Sequence, residues 1–299
     1  MAYKHILVAI NLEEPSDTVL SRAIEMTEQH GARLAIISVL PQVDSFLSGM
    51  ELLHSKEIVH SITRDGLWQL KSYLKQRLPQ SLEGRTEIRA FAGSPETSIT
   101  SYAASHDCDL IIVGAHDRHG LEYFLGTTAS AVLYRAHCDV LGIRDKNNIH
   151  PYQTVVVAVD GGEQTAAILD KAASVADQNK NRQVVTILRP LILDYQLEQI
   201  DWSAAQISNM TGDLERAMIG KIQQQIDASP LAGLQLQTRS GKPSAQLKQF
   251  ATEMEADLVI MGSGSRHGSG WMIGSTTHNV LHGVNCDVLV IRQSQRQVN

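Results

Sequence analysis

Two segments of the chain combine glycines, hydroxyls and a basic residue at spacings suited to holding an anion. The first runs from Gly114 through His116, Asp117, Arg118 and Gly120 to Gly126-Thr127-Thr128. The second runs from Gly262 through Gly264, Ser265, Arg266 and Gly268 to Gly274-Ser275-Thr276. Each opens with a glycine after an apolar run, where the missing Cβ lets a ligand approach the backbone. Each closes with glycine and hydroxyls at the start of a helical pattern. Exposed N–H groups and the helix dipole favour negative charge there, and the hydroxyls add donors. Arg118 and Arg266 can offset phosphate charge. In a single copy the same glycines could simply make turns and the hydroxyls cap a helix; recurrence at the same point in both halves favours anion binding. No Gly-Lys-Ser/Thr follows, so this is not a P-loop, and the first strand lacks the GxGxxG of a dinucleotide fold.

The two segments belong to a repeat that spans the chain. His5–Asn11 matches Thr154–Asp160 at an offset of 149, and from Gly93-Ser94-Pro95 against Gly241-Lys242-Pro243 the offset settles at 148. It holds for Asp109–Gly114 against Asp257–Gly262 and for Cys138–Leu141 against Cys286–Leu289. A single register shift across so many blocks marks a duplication.

Within the first copy, apolar runs alternate with helical patterns. Strands are expected at 4–10, 34–39, 86–91, 110–113 and 139–143. The stripe Val19, Leu20, Ala23, Ile24 and Met26 predicts a helix capped by Ser16 and ended by Gly31. Further helices are expected within 45–78, from Pro95 to Ser105 and from Thr127 to Arg135. Strands that are apolar on both faces and separated by helices imply a parallel sheet covered on each side. Each copy should therefore be a doubly wound α/β domain with five strands and about four helices, joined by the polar stretch 145–153. In such sheets ligands bind beyond the carboxyl ends of the strands, where the strand order reverses.

With 299 residues, 43% hydrophobic and 19% charged, the chain has the composition of a globular protein of two domains. A net charge of −6 argues against a broad nucleic-acid surface or binding to anionic membrane. Three cysteines without a CxxC pair suit a reducing compartment, and the apolar run at the N-terminus is too short for a signal or a membrane span. A cytoplasmic location is expected. His116 and His119 lack a third ligand at a convincing spacing, so no metal site is expected. Cys138 and Cys286 read as packed small hydrophobes, and no Ser-His-Asp or paired-carboxylate arrangement can be assigned.

Both copies resemble universal stress protein domains, and the whole chain resembles the tandem type. The resemblance rests on the strand-one opening, the Gly-x-Pro turn, the strand-four loop and the final Cys-Asp-Val-Leu strand. It implies domains at 1–146 and 152–294 with an adenine nucleotide α-hydrolase-like fold, paired as a pseudo-dimer through their last strands. A homodimer of whole chains and an unknown protein partner are compatible with it. It also implies binding of ATP or another adenine nucleotide, with Mg²⁺ as an available companion, in a sensor or regulator without efficient catalysis. The family's loop is written Gly-x2-Gly-x9-Gly-Ser/Thr. Here Asp117 and Ser265 replace the second glycine, and the following gap is eight residues.

Carried over residue by residue, the second-copy site would comprise Asp160, Leu188, Met261, Gly262, Gly264, Ser265, Gly274, Ser275 and Thr276. The first-copy counterparts would be Asn11, Val39, Gly114, His116, Gly126, Thr127 and Thr128. Asn11 lacks the charge of Asp160, which could alternatively cap the following helix, and Asp117 puts a carboxylate where phosphates should lie. The second copy is therefore expected to be the principal site. The competing reading is an interaction or scaffold protein of the same family that has lost nucleotide binding. An enzyme is least expected, since Asp160-Gly161-Gly162 continues as Glu163-Gln164 and not as a pyrophosphatase loop; at most, slow ATP hydrolysis is implied.

Overall fold

The computed structural model describes residues 3–14, 16–40, 56–115, 126–144, 150–175, 181–188, 204–264 and 273–292. The described residues up to Pro151 form one compact unit and those from Tyr152 onward form a second.

In the first unit the strands are β1 (His5–Ala9), β2 (Arg33–Leu40), β3 (Thr86–Ala92), β4 (Leu110–Gly114) and β5 (Asp139–Ile143). They lie in the order β3-β2-β1-β4-β5, every pairing parallel. The helices are α1 (Asp17–His30), α2 (Lys56–Leu74), α3 (Pro95–Ser105) and α4 (Thr127–Arg135). Right-handed crossovers put α1 and α2 on one face and α3 and α4 on the other. Consecutive strand residues such as Ile6, Leu7 and Val8 are accordingly all fully buried. The helix expected within 45–78 is α2; what precedes residue 56 lies outside the described residues. A 3₁₀ turn at Gln80–Arg85, not foreseen from periodicity, leads into β3.

Local chemistry sets the boundaries of α1. The Ser16 hydroxyl accepts from the Val19 N–H at 3.2 Å, and Gly31 ends the helix at φ 63°, where a Cβ would be strained.

The second unit repeats the plan. Its strands are β6 (Thr154–Ala158), β7 (Asn181–Leu188), β8 (Leu236–Ser240), β9 (Leu258–Gly262) and β10 (Asp287–Ile291). Their order is β8-β7-β6-β9-β10, again parallel throughout. The helices are α5 (Thr165–Val175), α6 (Ala204–Asp227), α7 (Pro243–Glu253) and α8 (Ser275–Leu281).

Two polar braces recur in both units. Asp109 accepts from the Lys4 and His5 amides at 2.8 and 3.0 Å, and Asp257 accepts from the Gln153 and Thr154 amides at 2.8 and 2.9 Å. The carboxylate before strand four thus satisfies the amides that enter strand one. Buried Tyr3 donates to buried Asp139 at 2.9 Å, and buried Tyr152 to buried Asp287 at 2.7 Å. No helix among the described residues is long and apolar enough to cross a membrane.

Candidate nucleotide site

In each unit the strand order reverses at the first strand, which lies between the second and the fourth. Their carboxyl ends therefore open a crevice of the kind in which ligands bind doubly wound sheets. Asn11 with Gly114, and Asp160 with Gly262, stand at these two crevices.

In the second unit glycines decide the geometry. A Cβ on Gly262 would come within 2.5 Å of the Gln164 side-chain oxygen and 3.1 Å of Ile168. The Gly262 carbonyl accepts from the buried Thr277 hydroxyl at 2.9 Å, tying the end of β9 to α8. The Ser263 N–H donates to the Ile291 carbonyl at 2.9 Å, and the Gly274 N–H donates to the Ser263 carbonyl at 2.8 Å. Gly264 has φ 58°, and a Cβ on Gly274 would stand 2.0 Å from the Gly264 oxygen. The strand end and the helix start are thus in backbone contact, which only glycine at position 274 permits. Gly274 is the N-cap of α8 and makes no side-chain capping bond, leaving Ser275 exposed and Thr276 half-buried. Met261 is buried within β9.

The acid after β6 is exposed, and its Oδ1 accepts from the Gly162 N–H at 2.9 Å. Asp160 therefore closes a turn inside the loop, ahead of the first residue of α5, Thr165. Asn11 makes the same turn by accepting from the Glu13 N–H at 3.1 Å. Beside Asp160, Gly161 takes φ 71°, and its carbonyl accepts from the Lys221 ammonium at 2.8 Å. A cation from α6 is thereby fixed at the mouth of the crevice.

The described residues of the first unit keep the same frame of strand end and helix start. Ala115 donates to the Ile143 carbonyl at 2.8 Å, matching the Ser263 bond. Gly126 is the N-cap of α4 without a side-chain capping bond; Thr127 is exposed and Thr128 half-buried. Ala129 stands where the second unit has Thr277, so the hydroxyl tie to the strand end is missing. His116 and Ser265, with Asp117, Arg118 and Arg266, lie outside the described residues.

Strand register corrects one equivalence. Val39 and Leu188 are expected at matching positions on strand two. However, the pairings Leu40 with Ala92 and Leu188 with Ser240 make Leu40 the counterpart of Leu188. Side chains alternate along a strand, so this one-residue slip puts Val39 on the opposite face. Gln164, Lys221 and Thr277 join the crevice unforeseen. Thr277 was signalled only as the last hydroxyl of the Gly-Ser-Thr-Thr run, and Gln164 and Lys221 carry no sequence signal of their own.

The universal stress protein family model matches residues 2–144 and again 151–292. The chain belongs to the universal stress protein family, as a tandem member. It is 24% identical over 315 residues to the universal stress protein E homolog of Haemophilus influenzae, covering 99% of both chains. It is 31% identical over 147 residues to universal stress protein A homolog 1 of Coxiella burnetii, covering 48% of this chain and 97% of that one. Among solved structures, a functionally unknown protein of Pseudomonas aeruginosa superposes with a TM-score of 0.67 at 20% identity, covering 98% of this chain and 94% of that one. A universal stress protein of Archaeoglobus fulgidus superposes with a TM-score of 0.57 at 14% identity, covering 97% of each. The fold is that of these proteins.

Proposed function

We propose that this tandem universal stress protein is a cytoplasmic sensor or regulator that binds ATP or another adenine nucleotide, principally in the second unit. The observation that carries this reading is the convergence of Gly262, Gly264 and Gly274 at the carboxyl end of β9. These three positions bring bare backbone and the Ser275 and Thr276 hydroxyls together at the switch point of the sheet. Amide and hydroxyl donors there suit phosphate oxygens. Asp160, exposed at the neighbouring strand end, would accept from ribose hydroxyls, and Leu188 ends the strand beside it. Lys221 adds a positive charge on the same side. Mg²⁺ would accompany the phosphates without needing a dedicated protein cage. The first unit, with Asn11 for Asp160 and Ala129 for Thr277, is the weaker site.

Equilibrium titration of the whole chain with ATP, ADP and AMP tests this reading. Asp160→Ala and Ser275→Ala should each weaken binding about tenfold, the effect of losing one hydrogen bond that involves a charged group. Saturable binding unmoved by both changes would sink the site assignment. No binding at all would favour an interaction protein of the same family.

A further inference from the structure

Separate chemistry lies at the opposite end of the first unit, at the amino ends of β1, β2 and β3. A depression of about 420 Å³ there is lined by His5, Arg33, Arg85, Glu87, His106 and Asp107, among others. That volume lies within the range of small-ligand sites, about 300–1,000 Å³. Three of these residues stand at, or one residue ahead of, the starts of neighbouring strands. His5 pairs with Arg33 across β1 and β2, and Arg85 ends the 3₁₀ turn just ahead of Thr86, which pairs with Leu34. Neighbouring strands stand about 4.8 Å apart, so His5 and Arg33 are adjacent along the sheet, and Arg85 lines the same depression from the turn that leads into β3.

Like charges side by side on a sheet repel, and a fold without use for them pairs them with acids. Here neither the Arg33 nor the Arg85 guanidinium has a hydrogen bond or ion pair among the described residues. The nearby acids are largely engaged elsewhere. Glu87 binds Arg89 at 2.7 Å, and that guanidinium holds its carboxyl below the ordinary value. Asp109 accepts from the Lys4 and His5 amides. Asp107 lines the same depression, and among the described residues its carboxylate has no hydrogen bond or ion pair. His5 is only 5% exposed, and its Nδ1–H donates to the His106 carbonyl at 2.8 Å, leaving Nε2 as its remaining polar atom.

The repeat supplies an internal control. At the corresponding positions the second unit has Thr154, Asn181, Gly233 and Met254 in place of His5, Arg33, Arg85 and His106. The framework needs none of these charges, since the second copy builds the same sheet without them. We infer that the first unit carries an oxyanion site at this end of its sheet. It would hold a phosphate group, free or borne by a small metabolite, between Arg33 and Arg85 with His5 beneath. Guanidinium pairs match such oxygens by bidentate hydrogen bonds.

The test is amide-detected NMR of the whole chain titrated with inorganic phosphate and, in parallel, with glycerol 3-phosphate. Saturable shifts at Leu34, Thr86 and Asp107 are expected. The midpoint should rise about tenfold or more in Arg33→Gln and in Arg85→Gln, both surface changes that leave the core intact. Arg64→Gln, an exposed arginine on α2, should leave it unchanged. Tighter binding of glycerol 3-phosphate would mark a metabolite site, and equal binding a site for free phosphate; both uphold the inference. Absence of saturation, midpoints unmoved by either variant, or shifts confined to Gly262, Gly264 and Gly274 would overturn it.

Discussion

Cys108, Cys138 and Cys286 are buried free thiols. Burial pushes the Cys108 thiol up to about 12, with the Asp109 charge adding to it, and burial with Asp139 raises Cys138 further. A raised thiol favours the protonated form in the folded state. Its contribution is therefore whole below the unfolded value of about 8.5 and is lost as pH climbs from there toward about 12. Denaturation midpoints should fall across that alkaline window, and Cys108→Ala should flatten the fall. A chromogenic thiol reagent at neutral pH should find the native protein silent and the unfolded protein reactive at all three positions. An unchanged alkaline slope in Cys108→Ala would refute the assignment. The packed role of Cys138 and Cys286 was legible from their place at the head of an apolar strand. The work of Asp109 and Asp257 was not, because their partners lie about a hundred residues away in sequence.

At the scale of elements, the contact between the end of β9 and the start of α8 is the most demanding. Gly274→Ala would drive a Cβ to 2.0 Å from the Gly264 oxygen, a backbone atom that cannot swing aside. The loop base must then open, costing about 1–3 kcal/mol and lowering nucleotide affinity with it. Gly220→Ala, exposed in α6 with open space around its Cβ, should instead stabilise by about 0.5–1 kcal/mol. Thermal melts of the two variants should therefore move in opposite directions; movement in the same direction would contradict the geometry. The frame was readable in the glycine spacing and in the Gly-Ser/Thr helix starts, since these are local signals. The Gln164 and Thr277 contacts were hidden because they depend on which strand lies beside which. The slip between Val39 and Leu188 has the same root: an offset read from sequence leaves strand register open by one residue.

Over the whole molecule, the repeat extends to buried hydrogen bonds. Tyr3→Phe and Tyr152→Phe each remove the phenolic donor to a buried carboxylate, Asp139 or Asp287. Each change should cost about 1–3 kcal/mol. Hydrogen exchange should show the loss first in the amides of the altered unit; a loss spread evenly over both units would argue against local braces. The parallel strand arrangement within each unit was legible because doubly apolar runs and helical stripes alternate twice at a nearly constant offset. The polar cluster at the amino ends of β1 to β3 was not, because His5, Arg33 and Arg85 line one depression only once the strands are in register. The backbone clasp between Gly264 and Gly274 has a consequence for how such a protein changes over generations. The clasp fixes the base of the strand-four segment independently of the residues that span it. Replacement of that span can therefore retune what a copy recognises while the sheet beneath stays as it was. A gene duplication on this frame starts with two interchangeable cassettes, and selection can rewrite one while the other keeps its first task.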